Sequence, residues 1–153
     1  MPAKISFQAV SRDFAAPDGS RFTALDRLNL DIADGEFVTV VGPSGCGKST
    51  AMGIAAGLTL PSSGRVLVDG REVRGPGPER GVIFQQYALF PWLTVRRNVE
   101  FGLEIAGRPK AERRAVAERF IDLVGLTPFA DALPKTLSGG MKQRCAIARA
   151  YAV

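Results

Sequence analysis

The segment between residues 36 and 50 constrains this chain more than any other part of its sequence. An uninterrupted run of apolar or β-branched residues, Phe37–Val41, leads directly into Gly42-Pro43-Ser44-Gly45-Cys46-Gly47-Lys48-Ser49. Such a run is typical of a strand buried on both faces, as in a parallel sheet. The residues after it fit the P-loop pattern of Gly, four residues and then Gly-Lys-Ser/Thr. A buried strand, a glycine-rich loop and a following helix predict an α/β domain that binds phosphate groups.

The residue types of this loop suit a nucleotide carrying Mg²⁺. Glycines let backbone N–H groups turn toward an anion where a Cβ would obstruct them, and the helix that follows adds its positive end. Lys48 supplies a mobile positive charge for the β- and γ-phosphates, and Ser49 offers a hydroxyl to Mg²⁺. We interpret Cys46 as a small loop residue. The predicted cofactor-binding residues of the loop are Gly42, Pro43, Ser44, Gly45, Cys46, Gly47, Lys48, Ser49 and Thr50.

Composition excludes several other classes of protein. The 153 residues are 46% hydrophobic and 23% charged, which excludes a disordered tail, a coiled coil and a collagen-like chain. The absence of His excludes His-based triads and metal sites built on imidazole. Cys46 and Cys145 match no zinc spacing and are too few for a disulfide scaffold. With no signal peptide and no apolar stretch longer than half a membrane span, we expect a soluble, cytosolic protein.

The net charge of +5 is concentrated at the end of the chain. Up to Asp131 there are 16 basic and 15 acidic residues, and four basic residues with no acid follow. A basic end is able to bind the phosphate backbone of a nucleic acid. The alternative, which we favour, is that the chain stops before acidic residues that would balance it. We therefore expect no nucleic-acid partner.

Alternating and continuous apolar patterns predict the strands. The first strand carries a slip at Ala9 that interrupts the alternation of its apolar residues. The other strands are bounded by turn signals such as Asp34-Gly35 and Asp69-Gly70. Besides Phe37–Val41, the predicted strands contain Ile5, Phe7 and Val10; Leu28, Leu30 and Ile32; Val66–Val68; and Gly81–Phe84.

Helical signals dominate after Phe84. A helix also follows the P-loop and is predicted to end near Leu58, before Pro61. Thr94 is placed to cap a helix that ends at Gly107, and Lys110–Val124 has one apolar face. A last helix begins near Ser138 and is predicted to continue to Val153.

A second glycine-rich motif narrows the class of nucleotide-binding protein. A P-loop alone is compatible with GTPases, nucleotide kinases, helicases and transport motors. Leu137-Ser138-Gly139-Gly140-Met141-Lys142-Gln143-Arg144 resembles the signature motif of ABC-type ATPases. A serine and two glycines at a helix N-terminus offer N–H groups, a hydroxyl and a favourable dipole to an anion. In that family, the P-loop of one chain and the signature of a second clamp the same ATP, which implies a homodimer with Ser138, Gly139 and Gly140 at the nucleotide.

Two further positions match the family between and before these motifs. Phe84-Gln85 resembles the Q-loop, and the resemblance implies that Gln85 lies near Mg²⁺ and the attacking water, as a catalytic and metal-contacting residue. An amide orients water and contacts a metal without changing its protonation state. The adjacent Gln86 remains an alternative for this role. Phe14 falls where the family places an aromatic residue that stacks on adenine.

The segment Leu89–Val95 looks most like that of ATPases which power importers of nitrate, taurine and aliphatic sulfonates. In that family, a cytoplasmic coupling helix of an integral membrane permease docks on this segment, which implies that Trp92 contacts the permease. The alternative is that Trp92 packs inside the helical subdomain. The resemblance implies ATP and Mg²⁺ as cofactors and a peripheral position on the cytoplasmic face of the inner (plasma) membrane. A periplasmic or lipoprotein substrate-binding protein would act indirectly.

The resemblance covers nearly the whole chain, with one departure. The implied fold is an α/β P-loop NTPase core of ABC type, a mixed sheet with an N-terminal antiparallel β part plus an inserted helical subdomain. No strand ending in Asp-Glu follows Arg149, and no switch His is present, so we expect truncation before the Walker B strand. The expected single domain, 1–153, comprises a P-loop core part (1–85), a Q-loop and helical subdomain (86–140) and the signature helix (138–153).

This departure leaves two functions open. The first is an ATP-binding importer subunit, and the second is a catalytically dead nucleotide-binding fragment or decoy module. The 89-residue spacing from Lys48 to Leu137 is too short for the coiled-coil insertion of a DNA-repair ABC ATPase. A GTPase would need an Asn-Lys-x-Asp motif, which the sequence lacks. Tested alone, the chain is expected to hydrolyse little ATP.

Overall fold

The structure, a computed structural model, describes residues 3–153 and divides into two compact units. The first unit ends at Arg80 and contains the P-loop. The second unit begins at Gly81 and contains Gln85 and Ser138. No helix among residues 3–153 is long and apolar enough to cross a membrane.

An antiparallel sheet forms the first unit. Its strands are β1 (Ala3–Ala15), β2 (Arg21–Ala33), β3 (Ser63–Val68) and β4 (Arg71–Glu72), in the spatial order β2-β1-β3-β4. Three of the predicted strands, those around Phe7, Leu30 and Val66, are confirmed, as is the N-terminal antiparallel part. The predicted turn at Asp69-Gly70 joins β3 to β4, with both residues at positive φ (+49° and +72°). That geometry is the one preferred in two-residue hairpins.

A bulge at Ala9 confirms the predicted slip in the first strand. Ala9 has a φ of +48°, and the pairing of β1 with β2 shifts between Phe7 and Val10. The Ala9 N–H donates instead to the Asn29 side chain, at 2.9 Å. Because the bulge adds one residue to the strand, Phe7 and Val10 lie on the same face of the sheet. Both are buried, at 5% and 0% exposed.

Helix α1 (Lys48–Ala55) packs its apolar residues against this sheet. Ile54 is 1% exposed and joins a core formed by Phe7, Val10, Val66, Val68 and Val73. The helix ends three residues before the predicted Leu58, because Gly57 turns to a φ of +76° and the Leu58 N–H bonds back to Gly53. This left-handed glycine is a usual helix stop.

Two predicted strands are wrong. Phe37–Val41 has no regular secondary structure, and Phe37 and Val41 are 92% and 87% exposed. Gly81–Phe84 is also irregular. Apolar and β-branched residues favour strands, but a strand exists only as one member of a hydrogen-bonded pair. Within residues 3–153 no strand pairs with either segment.

Three helices form the second unit: α2 (Val95–Ile105), α3 (Lys110–Leu123) and α4 (Gly139–Tyr151). Two short 3₁₀ turns, Thr127–Phe129 and Pro134–Thr136, connect α3 to α4. The predicted cap is confirmed, since the Thr94 hydroxyl accepts from the Arg97 N–H. Helix α4 ends two residues before the predicted Val153. The fully buried members of the core are Val95, Val99, Ala117, Ile121, Leu126, Cys145 and Ala148.

Candidate functional site

The loop that precedes α1 requires glycine at three positions. Gly45 and Gly47 have φ values of +83° and +91°, in the left-handed region. A Cβ on Gly47 would collide with the Ala24 carbonyl oxygen and lie 2.9 Å from Leu25 Cδ2. A Cβ on Gly42 would lie 2.6 Å from the Cys46 sulfur. Gly47 therefore has no room for a Cβ, Gly45 is favoured by its dihedral angle, and a side chain on Gly42 would displace Cys46.

The first turn of α1 is left open to an anion. Gly47 occupies the N-cap position and provides no side-chain hydrogen bond, and the first turn carries no acidic residue. Most helices satisfy these N–H groups with a Ser, Thr, Asp or Asn side chain. In the second unit, α2 and α4 do so with Thr94 and Ser138. A phosphate at the start of α1 would meet free N–H groups and the positive end of the helix dipole.

The Lys48 side chain folds back over this loop. Its ammonium donates to the carbonyl oxygens of Gly42 and Pro43, each at 2.7 Å, and lies 3.5 Å from the Cys46 sulfur. Three donors on one ammonium allow it to keep one or two of these bonds while it turns to a ligand. The loop thus holds a positive charge directly beside its own N–H groups.

A cavity of about 440 Å³ opens beside the loop. Its lining includes residues of both the sheet and the P-loop: Phe14 of β1 and Phe22 and Ala24 of β2 line it together with Lys48 and Ser49. The remaining lining residues are Ser44, Gly45, Gly47 and Thr50. The structure therefore brings Phe14 to the same cavity as the loop residues that sequence analysis selected.

Phe22 and Ala24 belong to no sequence motif, so the residue patterns do not predict them as site residues. The signal lay in the hairpin: Asp18-Gly19 is a turn, and a turn there places residues 14 and 22 opposite each other. The structure pairs Phe14 with Phe22 in register, so that both rings lie on one face. Ala24 is the extra residue where the pairing shifts between Arg12 and Asp13, and its carbonyl lies against Gly47.

The cavity suits a magnesium nucleotide. Backbone N–H groups and the Lys48 ammonium suit the phosphates, and the exposed Ser49 hydroxyl suits Mg²⁺, which takes most of its oxygens from phosphate and water. Among the described residues that line the cavity, none is acidic. Nor do three or more His, Cys, Asp or Glu cluster as metal ligands anywhere in residues 3–153.

The other predicted site residues lie in the second unit. The Ser138 hydroxyl accepts from the Met141 N–H at 3.3 Å and so caps α4. A Cβ on Gly139 would lie 3.0 Å from the Tyr87 hydroxyl oxygen, whereas Gly140 faces open space. Gln85 is exposed in a bend of irregular chain. The roles of Gln85, Ser138, Gly139 and Gly140 stay predictions.

Arg149 ties α4 to the chain that follows Gln85. Its guanidinium donates to the carbonyl oxygens of Ala88 at 2.7 Å and Tyr87 at 3.4 Å. It also lies 5.6 Å from the centre of the Phe90 ring. Burial lowers the Arg149 pKa from its ordinary value. These contacts fix the end of the Q-loop segment to the helix that Ser138 begins.

The Leu89–Val95 segment, for which docking is predicted, is hydrogen-bonded to the side chain of Asn98. This side chain is fully buried: it accepts from the Phe90 N–H and donates to the carbonyls of Phe90, Leu93 and Thr94. Phe90 packs on Phe101, with ring centres 4.4 Å apart. Trp92 is 72% exposed, so it lies outside the core of the helical unit.

Comparison with known proteins agrees with this geometry. The family model described as ABC transporter matches residues 25–153. A putative ATP-binding protein of Brucella abortus (strain 2308) is 70% identical over 152 residues, which are 99% of this chain and 56% of that protein. The nitrate import ATP-binding protein NrtD of Synechocystis sp. is 52% identical over 143 residues, which are 94% of this chain and 53% of NrtD. The chain thus spans about half the length of these curated relatives.

A solved structure shares the fold. The dimeric structure of a post-hydrolysis state of the ATP-binding cassette MJ0796, bound to ADP and Pi, superimposes with a TM-score of 0.88 at 35% identity. The match covers 97% of this chain and 69% of that one. With the family model, the relatives and this structure in agreement, the chain belongs to the ABC transporter family, among its ATP-binding proteins.

Proposed function

We propose that the chain binds ATP with Mg²⁺ at the Gly42–Thr50 loop and that it serves as the ATP-binding part of an importer. One observation carries the proposal. Lys48, the uncapped start of α1 and the Phe14 ring line a single cavity of about 440 Å³. The size and polarity of that cavity fit phosphates at one end and a base at the other.

The chain's own residues would divide the work of binding. The N–H groups of the loop and of the first turn of α1 would hold the β-phosphate. Lys48 would keep one of its bonds to the Gly42 and Pro43 carbonyls while it donates to the β- and γ-phosphates. Ser49 would contact Mg²⁺, with Gln85 as the further metal-contacting residue and the residue that orients the attacking water. Bound Mg²⁺ neutralises the charge that develops on the phosphates.

The partner contacts are proposed from the second unit. Ser138, Gly139 and Gly140 would contact the γ-phosphate of ATP held by a second subunit. The Ser138 hydroxyl is able to do so while it caps α4, because it accepts from Met141 through oxygen and keeps its proton to donate. The relative MJ0796 was solved as a dimer with ADP and Pi, which supports pairing in this manner.

The membrane partner would be an integral permease that covers Trp92. A Trp that is 72% exposed on a loop fixed by a buried Asn is a typical interface anchor. We infer a peripheral protein on the cytoplasmic face of the inner (plasma) membrane. A periplasmic or lipoprotein substrate-binding protein would be an indirect partner, because it would deliver the cargo to the permease. Nitrate, taurine or an aliphatic sulfonate is the proposed cargo, and the 52% identity to a nitrate import protein supports the first of these.

Nucleotide binding tests the proposal directly. Lys48→Ala removes the ammonium and leaves the phosphates on neutral N–H groups, so ATP–Mg²⁺ affinity should fall by about tenfold or more. Titration calorimetry of the purified chain measures this fall. Cys46→Ser is the matched control in the same loop and should change affinity less than about twofold, because Cys46 contributes size and not charge. Equal affinity of Lys48→Ala and the parent chain would refute the site.

A further inference from the structure

Two exposed aromatic residues lie side by side on neighbouring strands beside the phosphate loop. Phe14 of β1 and Phe22 of β2 are direct cross-strand partners, 39% and 55% exposed. Both line the cavity that Lys48 also lines. Rings of this size gain free energy when a ligand covers them, and the adjoining loop already selects a ligand that carries phosphate.

Arg12 fixes the first of these rings. The carbon at the centre of its guanidinium lies 4.7 Å from the centre of the Phe14 ring, in the geometry of a cation–π contact. Its Nε atom is buried and has no hydrogen-bond partner in the described part of the chain. Stacking therefore accounts for the position of this side chain, and Arg12 covers one face of Phe14.

We propose that Phe22 is a second base-binding residue, which forms with Phe14 an aromatic wall for the purine of the bound nucleotide. This inference rests on the function proposed above and adds the means by which the base is chosen. Phe14, Phe22 and Ala24 offer no side-chain donor or acceptor to the edge of a base. The wall must then select by ring area, which favours purines over pyrimidines and separates adenine from guanine poorly.

The variant Phe22→Leu tests the wall, because it keeps an apolar side chain and removes the aromatic face. Titration calorimetry should show the affinity for ATP–Mg²⁺ lowered by about five- to tenfold. This is the lower end of the range for base–aromatic stacking, because Phe14 remains in the variant. Tripolyphosphate, which has no base, should bind the variant and the parent within about twofold. Phe22→Tyr restores the ring and should restore ATP affinity. Phe129→Leu, at an exposed ring (41%) in the second unit, is the control for the same substitution away from the cavity.

Each outcome decides between the two proposals. Unchanged ATP affinity in Phe22→Leu, with a large loss in Lys48→Ala, would overturn the aromatic wall and leave the phosphate site intact. If Phe22→Leu lowered the affinities for ATP and for tripolyphosphate equally, the aromatic wall would also be overturned. Phe22 would then support the folded structure of the site and not contact the base. Unchanged ATP affinity in Lys48→Ala would instead refute the phosphate site itself. The parent chain supplies a test without any variant: ATP and GTP should bind within about threefold of each other and UTP about fivefold or more weakly, and equal binding of ATP and UTP would overturn the inference.

Discussion

At the scale of single residues, the phosphate loop depends on one close approach between backbones. Gly47 lies so near the Ala24 carbonyl that no Cβ fits, and it also has a positive φ. Gly45 has a similar φ but nothing within 4 Å of its Cβ position. The two glycines therefore separate the cost of the dihedral angle from the cost of a collision.

We expect Gly47→Ala to lower the free energy of unfolding by more than Gly45→Ala does. Both changes carry the strain of a non-glycine residue in the left-handed region, about 1–2 kcal/mol. Only Gly47→Ala also forces β2 away from the loop, which should cost roughly 1 kcal/mol more. The same displacement should abolish measurable ATP binding. Urea unfolding of both variants measures the difference. Equal unfolding midpoints would show that the approach of Ala24 is unimportant.

Residue patterns predicted one part of the site and missed another for a physical reason. The P-loop is local, so its glycines, Lys48 and Ser49 are recognisable from spacing alone. Phe22 takes its place from the register of β1 and β2, which the sequence implies only through the position of a turn. Phe14 was predicted from a family resemblance, and its cavity became visible only with the strands paired.

At the scale of elements, the local signals at turns and caps were more reliable than the apolar runs. The bulge at Ala9, the turn at Asp69-Gly70 and the cap at Thr94 are fixed by neighbours in the chain, and all three were predicted correctly. Phe37–Val41 has strong strand formers but needs a partner from elsewhere. Its exposure therefore reflects the lack of a pairing strand within residues 3–153, and strand propensity carries no information about such long-range partners.

The exposed Phe37–Val41 segment should make the chain self-associate. Five consecutive apolar or β-branched residues that pair with no strand among residues 3–153 are an aggregation-prone window. We expect light scattering to rise with chain concentration, and Val40→Lys, which adds a charge at a side chain already 54% exposed, to suppress the rise. Val153→Lys, exposed to a similar degree (57%), is the control outside the window. A monodisperse, cooperatively melting parent chain would contradict the expectation.

At the scale of the whole molecule, binding and hydrolysis make different demands. The proposed binding of ATP uses the loop, Lys48 and the aromatic wall, and all of these lie in the first unit. Hydrolysis also needs an oriented water and a group that accepts its proton. The sequence has no His, and no acidic residue lines the described cavity.

The 153-residue chain, assayed alone, should therefore bind ATP and turn it over slowly. Loss of a general base costs about 10²–10⁴-fold in rate. Two acids in the second unit are poor replacements: Arg96 hydrogen-bonds Asp131 and holds its pKa below the usual value, and Asp122 accepts from Thr127. A phosphate-release assay with Lys48→Ala as the contamination control measures turnover. A Lys48-dependent rate of about one per second would refute this expectation and identify an acid that acts as the base.

The uncapped start of α1 gives the ligand a second role. An eight-residue helix without a capping side chain is marginal on its own, and a bound phosphate would supply the missing hydrogen-bond partners. Nucleotide then acts as the cap of this helix. By mass action, a ligand at 100 times its dissociation constant adds about 2.7 kcal/mol to the unfolding free energy of whatever unit binds it. The cellular ATP level would thereby set how long the amides of α1 resist exchange with solvent. In an unpaired chain, α4, which Ser138 already caps, would exchange independently of nucleotide.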